Sequence, residues 1–231
     1  RPVDQWCRTT LLDPNFDFFE RFSTNTNSHN YGGNFEVVPP YTGKSYGKVA
    51  FGGGTGYLLG TTTTVTNQMT QVYKDFFDAA SIQGPHLQYT SEWLAVGHID
   101  EFSMFVPAPN TARGWVCLIA SPTVAIQILQ NTKTAGGTSG GSIPVMAGRS
   151  GYATTIDGIL NDSALMTLQT QAQARIDTAR NQIKAATNMT DADFIHVPQL
   201  FEYVSGNAVA ALNPGSINMM VLPSANGTTY F

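Results

Sequence analysis

The sequence predicts an α/β fold, because segments typical of strands alternate with amphipathic segments typical of helices. The chain has 231 residues, of which 42% are hydrophobic and 11% are aromatic. A chain of this size can bury a substantial core without disulfides or metals. We therefore expect residues 1–231 to form a single domain. The sequence contains no repeat with a fixed period.

Strands are predicted where short runs of β-branched and aromatic residues end at turn residues. These runs cover residues 35–38, 48–51, 87–95, 102–106, 115–120, 193–197 and 217–222. The glycine-rich stretch 52–60 lacks the lysine of a phosphate-binding loop, so we interpret it as a flexible hairpin or lid.

Two long helices are predicted from apolar residues that recur three and four positions apart. The first begins near Thr66 and ends at Gly84 and Pro85, and the second includes residues 165–183. Between them, the pair Ser121–Pro122 predicts the start of a short helix, because serine is a favoured cap and proline a favoured first residue. Residues 134–151, rich in Gly, Thr and Ser, are predicted to form a loop.

Charge and cysteine content exclude several classes of protein. Only 12% of residues are charged, the net charge is −4, and no run of Lys or Arg supplies the basic surface that nucleic acid requires. No apolar stretch approaches the roughly 18 residues of a membrane span. Cys7 and Cys117 allow at most one disulfide and exclude a four-cysteine zinc site. Cys117 lies in an apolar run, which predicts a buried, inert thiol.

The cellular compartment is left open by the sequence. Sequons at Asn161, Asn188 and Asn226 are about as frequent as chance predicts, although they and the low charge favour a secreted protein over a cytoplasmic one. The chain has no initiator Met, and Arg1 to Val3 do not begin a signal peptide. We therefore expect it to start within a longer gene product.

The most informative segment for chemistry is Gly-His-Ile-Asp-Glu-Phe at residues 97–102. In an extended strand His98 and Asp100, two positions apart, share one face. The carboxylate can accept hydrogen bonds from a planar cation, and the imidazole can act as an acid or base near pH 7. The alternative is an ordinary histidine at a strand end. The remaining histidines do not have the spacing of a zinc site.

A second candidate site lies at residues 32–36. Glycines here allow the backbone to expose carbonyl oxygens, and Glu36 adds a carboxylate, a combination that suits Ca²⁺. A turn that leads into a strand would have the same sequence, so both interpretations stay open.

Together these segments resemble the protein-arginine deiminases. Residues 34–40 resemble that family's Asn-Leu-Glu-Val-x-Pro-Pro, and residues 91–102, continuing to 105–109, match its central motif almost residue for residue. Segments 118–122, 197–201 and 218–222 follow in the family's order. The resemblance covers the chain from about residue 30 to its last residue.

The resemblance implies a fold, an activity and a set of residues. The fold is a pentein-type α/β propeller of five ββαβ blades, of which this chain would supply three to four. The activity is conversion of peptidyl-arginine, in a peptide or protein substrate, to citrulline and ammonia, usually with Ca²⁺. His98 would be the catalytic histidine and Asp100 the second carboxylate that binds the guanidinium. Glu36 and the carbonyls of Gly32 and Phe35 would form part of a calcium site.

Two departures from the family pattern limit this expectation. The family's first carboxylate lies in a Trp-x-Gln-Asp motif, whereas Trp6 is followed here by Cys-Arg-Thr. The nucleophilic cysteine lies near the family's C-terminus, and this chain ends before that region. Neither Cys7 nor Cys117 matches that position. We therefore expect the chain alone to be inactive, with a second chain as one way to complete the active site.

Three functions follow as alternatives. The first is the middle portion of a protein-arginine deiminase. The second is a pentein-fold protein without catalysis that binds a ligand or has a structural role. The third is an enzyme of the same fold that acts on another guanidino compound, such as free arginine.

Overall fold

The computed structural model describes Thr9 and residues 27–79, 82–148, 154–219, 221–223 and 229–230. Strands and helices alternate through these ranges, which confirms the predicted α/β class. No helix within them is both long enough and apolar enough to cross a bilayer. The predictions that concern Trp6, Cys7 and Asn226 lie outside the described residues.

The elements are numbered in chain order. The strands are β1 (Phe35–Val38), β2 (Lys48–Tyr57), β3 (Thr64–Gln68), β4 (Leu87–Tyr89), β5 (Ser103–Pro107), β6 (Trp115–Ser121), β7 (Pro144–Val145), β8 (Thr154–Thr155), β9 (Phe194–Pro198), β10 (Phe201–Ser205), β11 (Ala208–Ala211), β12 (Leu222–Pro223) and β13 (Thr229–Tyr230). The α-helices are α1 (Gln71–Ala79), α2 (Pro122–Ala135), α3 (Ile156–Leu160) and α4 (Ser163–Thr187).

A ββαβ arrangement occurs twice among the described residues, with β3 inserted before the helix of the first unit and β7, β8, α3 and α4 inserted after the helix of the second. In the first unit β1 is antiparallel to β2, α1 follows, and β4 returns parallel to β2. In the second unit β5 is antiparallel to β6, α2 follows, and β9 returns parallel to β6. Both units are therefore ββαβ, although the sequence shows no repeat. The described strands form sheets of two to four strands and no closed propeller.

Aromatic side chains connect the two units with the β10–β11 hairpin. Trp93 is fully buried, with its ring centroid 6.0 Å from that of Phe102 and 5.2 Å from that of Phe201. The side chain of Gln169 on α4 accepts a hydrogen bond from the Phe201 amide and donates one to its carbonyl. The hairpin is thus fixed to α4 and to the segment that follows β4.

The glycine-rich stretch is a strand, so the predicted lid is wrong, whereas the hairpin is present. Glycines 52–56 lie in β2, and β3 pairs with the second half of that strand. Glu92, 1% exposed, packs against Gly54 and Gly56 and forms an ion pair with Arg175 at 3.3 Å. A side chain at either glycine would collide with this pair, which explains why glycine is needed within a strand.

Several predicted boundaries differ from the structure. The first helix begins at Gln71 rather than near Thr66, because residues 64–68 pair with β2. The strand predicted over 87–95 ends at Tyr89. Of the described residues in the predicted 217–222 strand, only Leu222 is in a strand, as the first residue of β12. The helix after Ser121 is longer than expected, with 14 residues, and β10 and β11 were not predicted.

The loop predicted at 134–151 is partly regular. The C-terminal residues of α2 extend into it, and a 3₁₀ helix (Gly137–Ser142) and β7 follow. Of the sequons, Asn161 caps the end of α3 and Asn188 the end of α4, and both side chains are exposed.

Phe201 provides a test of this core. Replacing it with Ala removes the ring that packs against Trp93, and truncation of a buried aromatic costs about 3–5 kcal/mol of the free energy of unfolding. Val204, 52% exposed on the same strand, is the control, and Val204→Ala is expected to change stability by less than about 1 kcal/mol. Chemical denaturation measures both. Equal effects of the two substitutions would contradict the packing described.

Candidate acid–base site with a histidine and three carboxylates

His98 lies between the two ββαβ units, in the segment that joins β4 to β5. Gly97 has a φ of +80°, and a Cβ at this position would collide with the ring of His29, so the turn requires glycine. The Gly97 carbonyl accepts a hydrogen bond of 2.6 Å from the buried Ser91 hydroxyl. The chain then enters a 3₁₀ helix (Ile99–Glu101), which places His98 at its N-cap.

His98 and Asp100, the two predicted catalytic residues, lie close together, but not because they share one face of a strand. They are on a 3₁₀ helix and not on a strand, so the alternation of an extended chain does not apply. His98 Nδ1 is 4.0 Å from Asp100 Oδ1, and the two side chains are 14% and 22% exposed. Ile99 between them is fully buried, which anchors the turn.

The backbone of residues 28–33 packs against one side of His98 and Asp100. The Ser28 carbonyl lies 2.8 Å from His98 Nε2. A Cβ on Gly33 would lie 2.5 Å from both His98 Nδ1 and Asp100 Oδ2. The absence of a side chain at Gly33 therefore leaves room for both groups.

Three carboxyl groups interact at the site. Burial raises the pKa of Asp100, while the charge of His98 and a hydrogen bond from the Asn218 side chain oppose that rise. Burial also raises the pKa of Glu36 to about 7 and that of Glu101 to about 7, and the negative charge of Asp100 adds to both shifts. Like charges held in a poorly hydrated place disfavour their own ionisation, so the site favours binding of a cation.

Glu101 fixes the backbone of His98 through a hydrogen bond. Its Oε1 accepts a hydrogen bond of 3.2 Å from the His98 amide, and its carbonyl accepts one of 2.9 Å from the Gln199 side chain. No role at the histidine was predicted for Glu101, Gly33 or Ser28, although Gly33 lies in the candidate segment 32–36. For Glu101 a signal existed, because a Glu three residues after an N-cap is the pattern of a capping box.

The predicted calcium residues lie beside the pair. Glu36 is on β1, and the Gly32 carbonyl accepts the amide hydrogen of Phe35. Among the described residues, no group of three or more His, Cys, Asp or Glu side chains could hold a metal ion. Glu36 and two carbonyls would provide three of the six to eight oxygens that Ca²⁺ takes. The desolvated Glu36 carboxyl fits such a role, and the described residues provide only part of a shell.

Cys117 is a core residue, as predicted. Its side chain is fully buried on β6, and burial raises the pKa of the thiol far above its ordinary range. A thiol with a raised pKa is a poor nucleophile at neutral pH. The described part of the chain therefore places a histidine beside carboxyl groups and contributes no reactive cysteine to them.

The fold and the site define an α/β protein with a histidine beside a buried carboxyl group. The comparisons with known proteins are more specific. The family model described as Protein-arginine deiminase (PAD) matches residues 1–229. The chain therefore belongs to the protein-arginine deiminase family, as the sequence motifs predicted.

Individual relatives agree with this assignment. Protein-arginine deiminase type-4 of Rattus norvegicus is 33% identical over 222 residues, which cover 92% of this chain and 32% of that protein. Type-3 of Mus musculus is 36% identical over 197 residues, covering 82% and 28% respectively. Type-1 of Homo sapiens is 32% identical over 198 residues, with the same coverage. The chain spans about a third of the length of these relatives.

The raised pKa values predict a pH dependence of stability. Glu36 ionises near 4.5 when unfolded and at about 7 when folded, so its contribution to stability is fully present below pH 4.5 and is lost as the pH rises through 7. Glu36→Gln should remove this loss, so the variant gains stability relative to the unmodified chain between pH 4.5 and 8. Thermal unfolding in the absence of added metal measures the difference.

The pH dependence must be compared between variants because His29 also contributes to it. Burial lowers the pKa of His29, so its effect on stability increases with pH in the same range, opposite to the effect of Glu36. Asp75→Asn is the control, since Asp75 is an exposed carboxylate on α1. Parallel pH curves for Glu36→Gln and the unmodified chain would show that Glu36 ionises normally.

Proposed function

We propose that this chain supplies the guanidinium-binding and proton-transfer groups of a peptidyl-arginine deiminase active site. One observation supports this most directly. Asp100 Oδ1 is buried, accepts no hydrogen bond from any described residue and faces His98 Nδ1 at 4.0 Å. A buried carboxylate oxygen without a partner is costly unless a ligand donates to it. A guanidinium is planar, always cationic and rich in donors, which suits that oxygen.

The proposed chemistry follows from the positions of these two residues. Asp100 accepts hydrogen bonds from the arginine guanidinium and holds it beside the imidazole. A cysteine thiolate attacks the guanidinium carbon, and His98 gives a proton to one amino group of the adduct, which leaves as ammonia when its C–N bond breaks. Water then hydrolyses the resulting thiouronium to citrulline and releases the thiol. The thiolate and the second carboxylate come from elsewhere in a longer protein or from a second chain, so the chain alone is proposed to be inactive.

The two ββαβ units are proposed to be two blades of a pentein-type propeller. In each unit the last strand is parallel to the second, and the segment with His98 and Asp100 joins one unit to the next. The β10–β11 hairpin would begin a third blade. This arrangement supports a site on the axis of the propeller, where the junctions between blades meet.

A calcium site is proposed at Glu36 with the carbonyls of Gly32 and Phe35. Bound there, Ca²⁺ would neutralise the Glu36 carboxylate next to Asp100. Without the ion, burial raises the pKa of both carboxyl groups, and the charge of Asp100 raises that of Glu36 further. The Glu36 side chain thus has an electrostatic reason to hold a cation.

A non-catalytic binding protein is the second candidate. It is supported by the position of Cys117, the described cysteine, which is buried in β6 with a raised pKa. Such a protein would keep the ligand contacts of Asp100 without the covalent step. Citrulline formation by the purified chain, if abolished by a thiol alkylator, would exclude this candidate and also the proposed inactivity of the chain alone.

Asp100→Asn tests the proposed ligand contact. The amide keeps the shape and removes the charge, so binding of N-benzoyl-arginine amide should weaken about tenfold or more, as expected for a lost hydrogen bond to a charged group. Isothermal titration calorimetry measures this, with Asp75→Asn as the control. Equally strong binding of free arginine would favour an enzyme for small guanidino compounds.

The stability of the same variant separates a binding role from a structural one. If Asp100 binds ligand, Asp100→Asn leaves the melting temperature unchanged or raises it, because a desolvated charge is removed. A fall in melting temperature with unchanged ligand binding would assign Asp100 to the fold.

Glu36→Gln tests the proposed calcium site. We expect weak binding of Ca²⁺ by the unmodified chain, since the proposed residues supply about half of a calcium shell. The substitution should abolish it, and binding should strengthen as the pH rises through 7 because Ca²⁺ competes with the proton on Glu36. Calorimetry at pH 6 and pH 8 measures both effects. Tight binding that survives Glu36→Ala would place the ion elsewhere.

A further inference from the structure

The segment Asn27–Asn34, here called the cradle, contacts His98 through the Ser28 carbonyl and approaches it at Gly33. It consists of two short 3₁₀ helices, Ser28–Asn30 and Gly32–Asn34, that lead into β1. No residue of the cradle was predicted to act on the histidine. Its contacts with His98 and Asp100 nevertheless determine which ring nitrogen is available for chemistry.

The contact of the Ser28 carbonyl identifies the protonated nitrogen. Its oxygen lies 2.8 Å from His98 Nε2, and a carbonyl oxygen can only accept a hydrogen bond. Nε2 must therefore carry the hydrogen. In the neutral ring the lone pair is then on Nδ1, the nitrogen that faces Asp100 Oδ1.

Gly33 sets the position of that lone pair. A Cβ on this residue would lie 2.5 Å from Nδ1 and 2.5 Å from Asp100 Oδ2, so a side chain here would displace one or both groups. Neighbouring Gly32 is different, because a Cβ there would meet nothing within 4 Å. A side chain at Gly33 would therefore disturb His98 and Asp100, whereas one at Gly32 would not.

The cradle itself is fixed by buried hydrogen bonds. The Asn34 side chain is fully buried, accepts a hydrogen bond of 2.9 Å from the Gly52 amide and donates to the carbonyls of His29 and Gly52. The Ser28 hydroxyl donates to the Val96 carbonyl at 2.7 Å. These bonds connect the cradle to β2 on one side and to the histidine segment on the other.

We propose that the cradle is a positioning element that holds His98 as the Nε2–H tautomer, so that Nδ1 is the atom that takes and gives the proton. Ser28 acts through its carbonyl, Gly33 through the absence of a side chain, and Asn34 by anchoring the segment. The assignment of Nδ1 to proton transfer rests on the proposed deiminase function. The tautomer itself does not, and it can be measured without ligand or turnover.

Long-range ¹H–¹⁵N correlation NMR of the histidine rings tests the proposal at a pH where the rings are neutral. The chain has four histidines, and the His98 signals are identified by their loss in His98→Gln. We expect His98 to show a larger excess of the Nε2–H form than free histidine. A ratio no higher than that of free histidine, or an excess of Nδ1–H, would overturn the proposal.

Gly33→Ala should shift His98 towards the tautomer ratio of free histidine, because the added methyl displaces the ring from the Ser28 carbonyl. Gly32→Ala is the matched control and should leave the ratio unchanged. Equal spectra of His98 in Gly33→Ala and the unmodified chain would contradict the role of Gly33. If Gly33→Ala does not fold, the tautomer of the unmodified chain still decides the proposal. Failure of arginine binding would refute the deiminase function alone.

Discussion

The absence of a side chain at Gly52 is the constraint on which the rest of the structure depends. A Cβ at this position would collide with the Ser91 hydroxyl, the Ile99 side chain and the Asn34 amide oxygen. Three parts of the chain therefore pack against this one glycine of β2. They are the segment before β1, with Asn34, and two parts of the β4–β5 connection, with Ser91 and Ile99. The backbone amide of Gly52 completes this meeting point, because it donates to Asn34.

The electrostatics of the site follow from this close packing. Glu36, Asp100 and Glu101 are all largely removed from water in this part of the fold, and burial raises the pKa of all three. The folded chain thus keeps negative groups where their charged forms are poorly solvated. Ligands that bring positive charge relieve this cost, which is a reason for the same place to suit a guanidinium and a metal ion.

Motifs in the sequence identified the residues of the site better than they identified its geometry. His98 and Asp100 were expected on one face of a strand, and they meet instead on a 3₁₀ turn that Gly97 and Glu101 define. The role of Gly33 could not be predicted, because it depends on His98 and Asp100 lying next to Gly33 in the folded chain. The glycine-rich stretch 52–60 was interpreted as a flexible hairpin or lid because strand propensity does not register Glu92, which fills the space beside Gly54 and Gly56. Local patterns with a strong period, such as α4, were predicted well, because burial of one face determines them.

The pair of Glu92 and Arg175 has a consequence for how sequences of this family can diverge. Glu92 lies within van der Waals distance of any Cβ at Gly54 or Gly56, and Arg175 approaches the second of these positions as well. At Gly54 the positive φ also disfavours a larger residue, whereas at Gly56 a larger residue is compatible with the fold only if the acid at position 92 and the guanidinium on α4 are replaced in the same lineage. Positions 56, 92 and 175 should therefore vary as a group among descendants of a common ancestor, although up to 119 residues separate them along the chain.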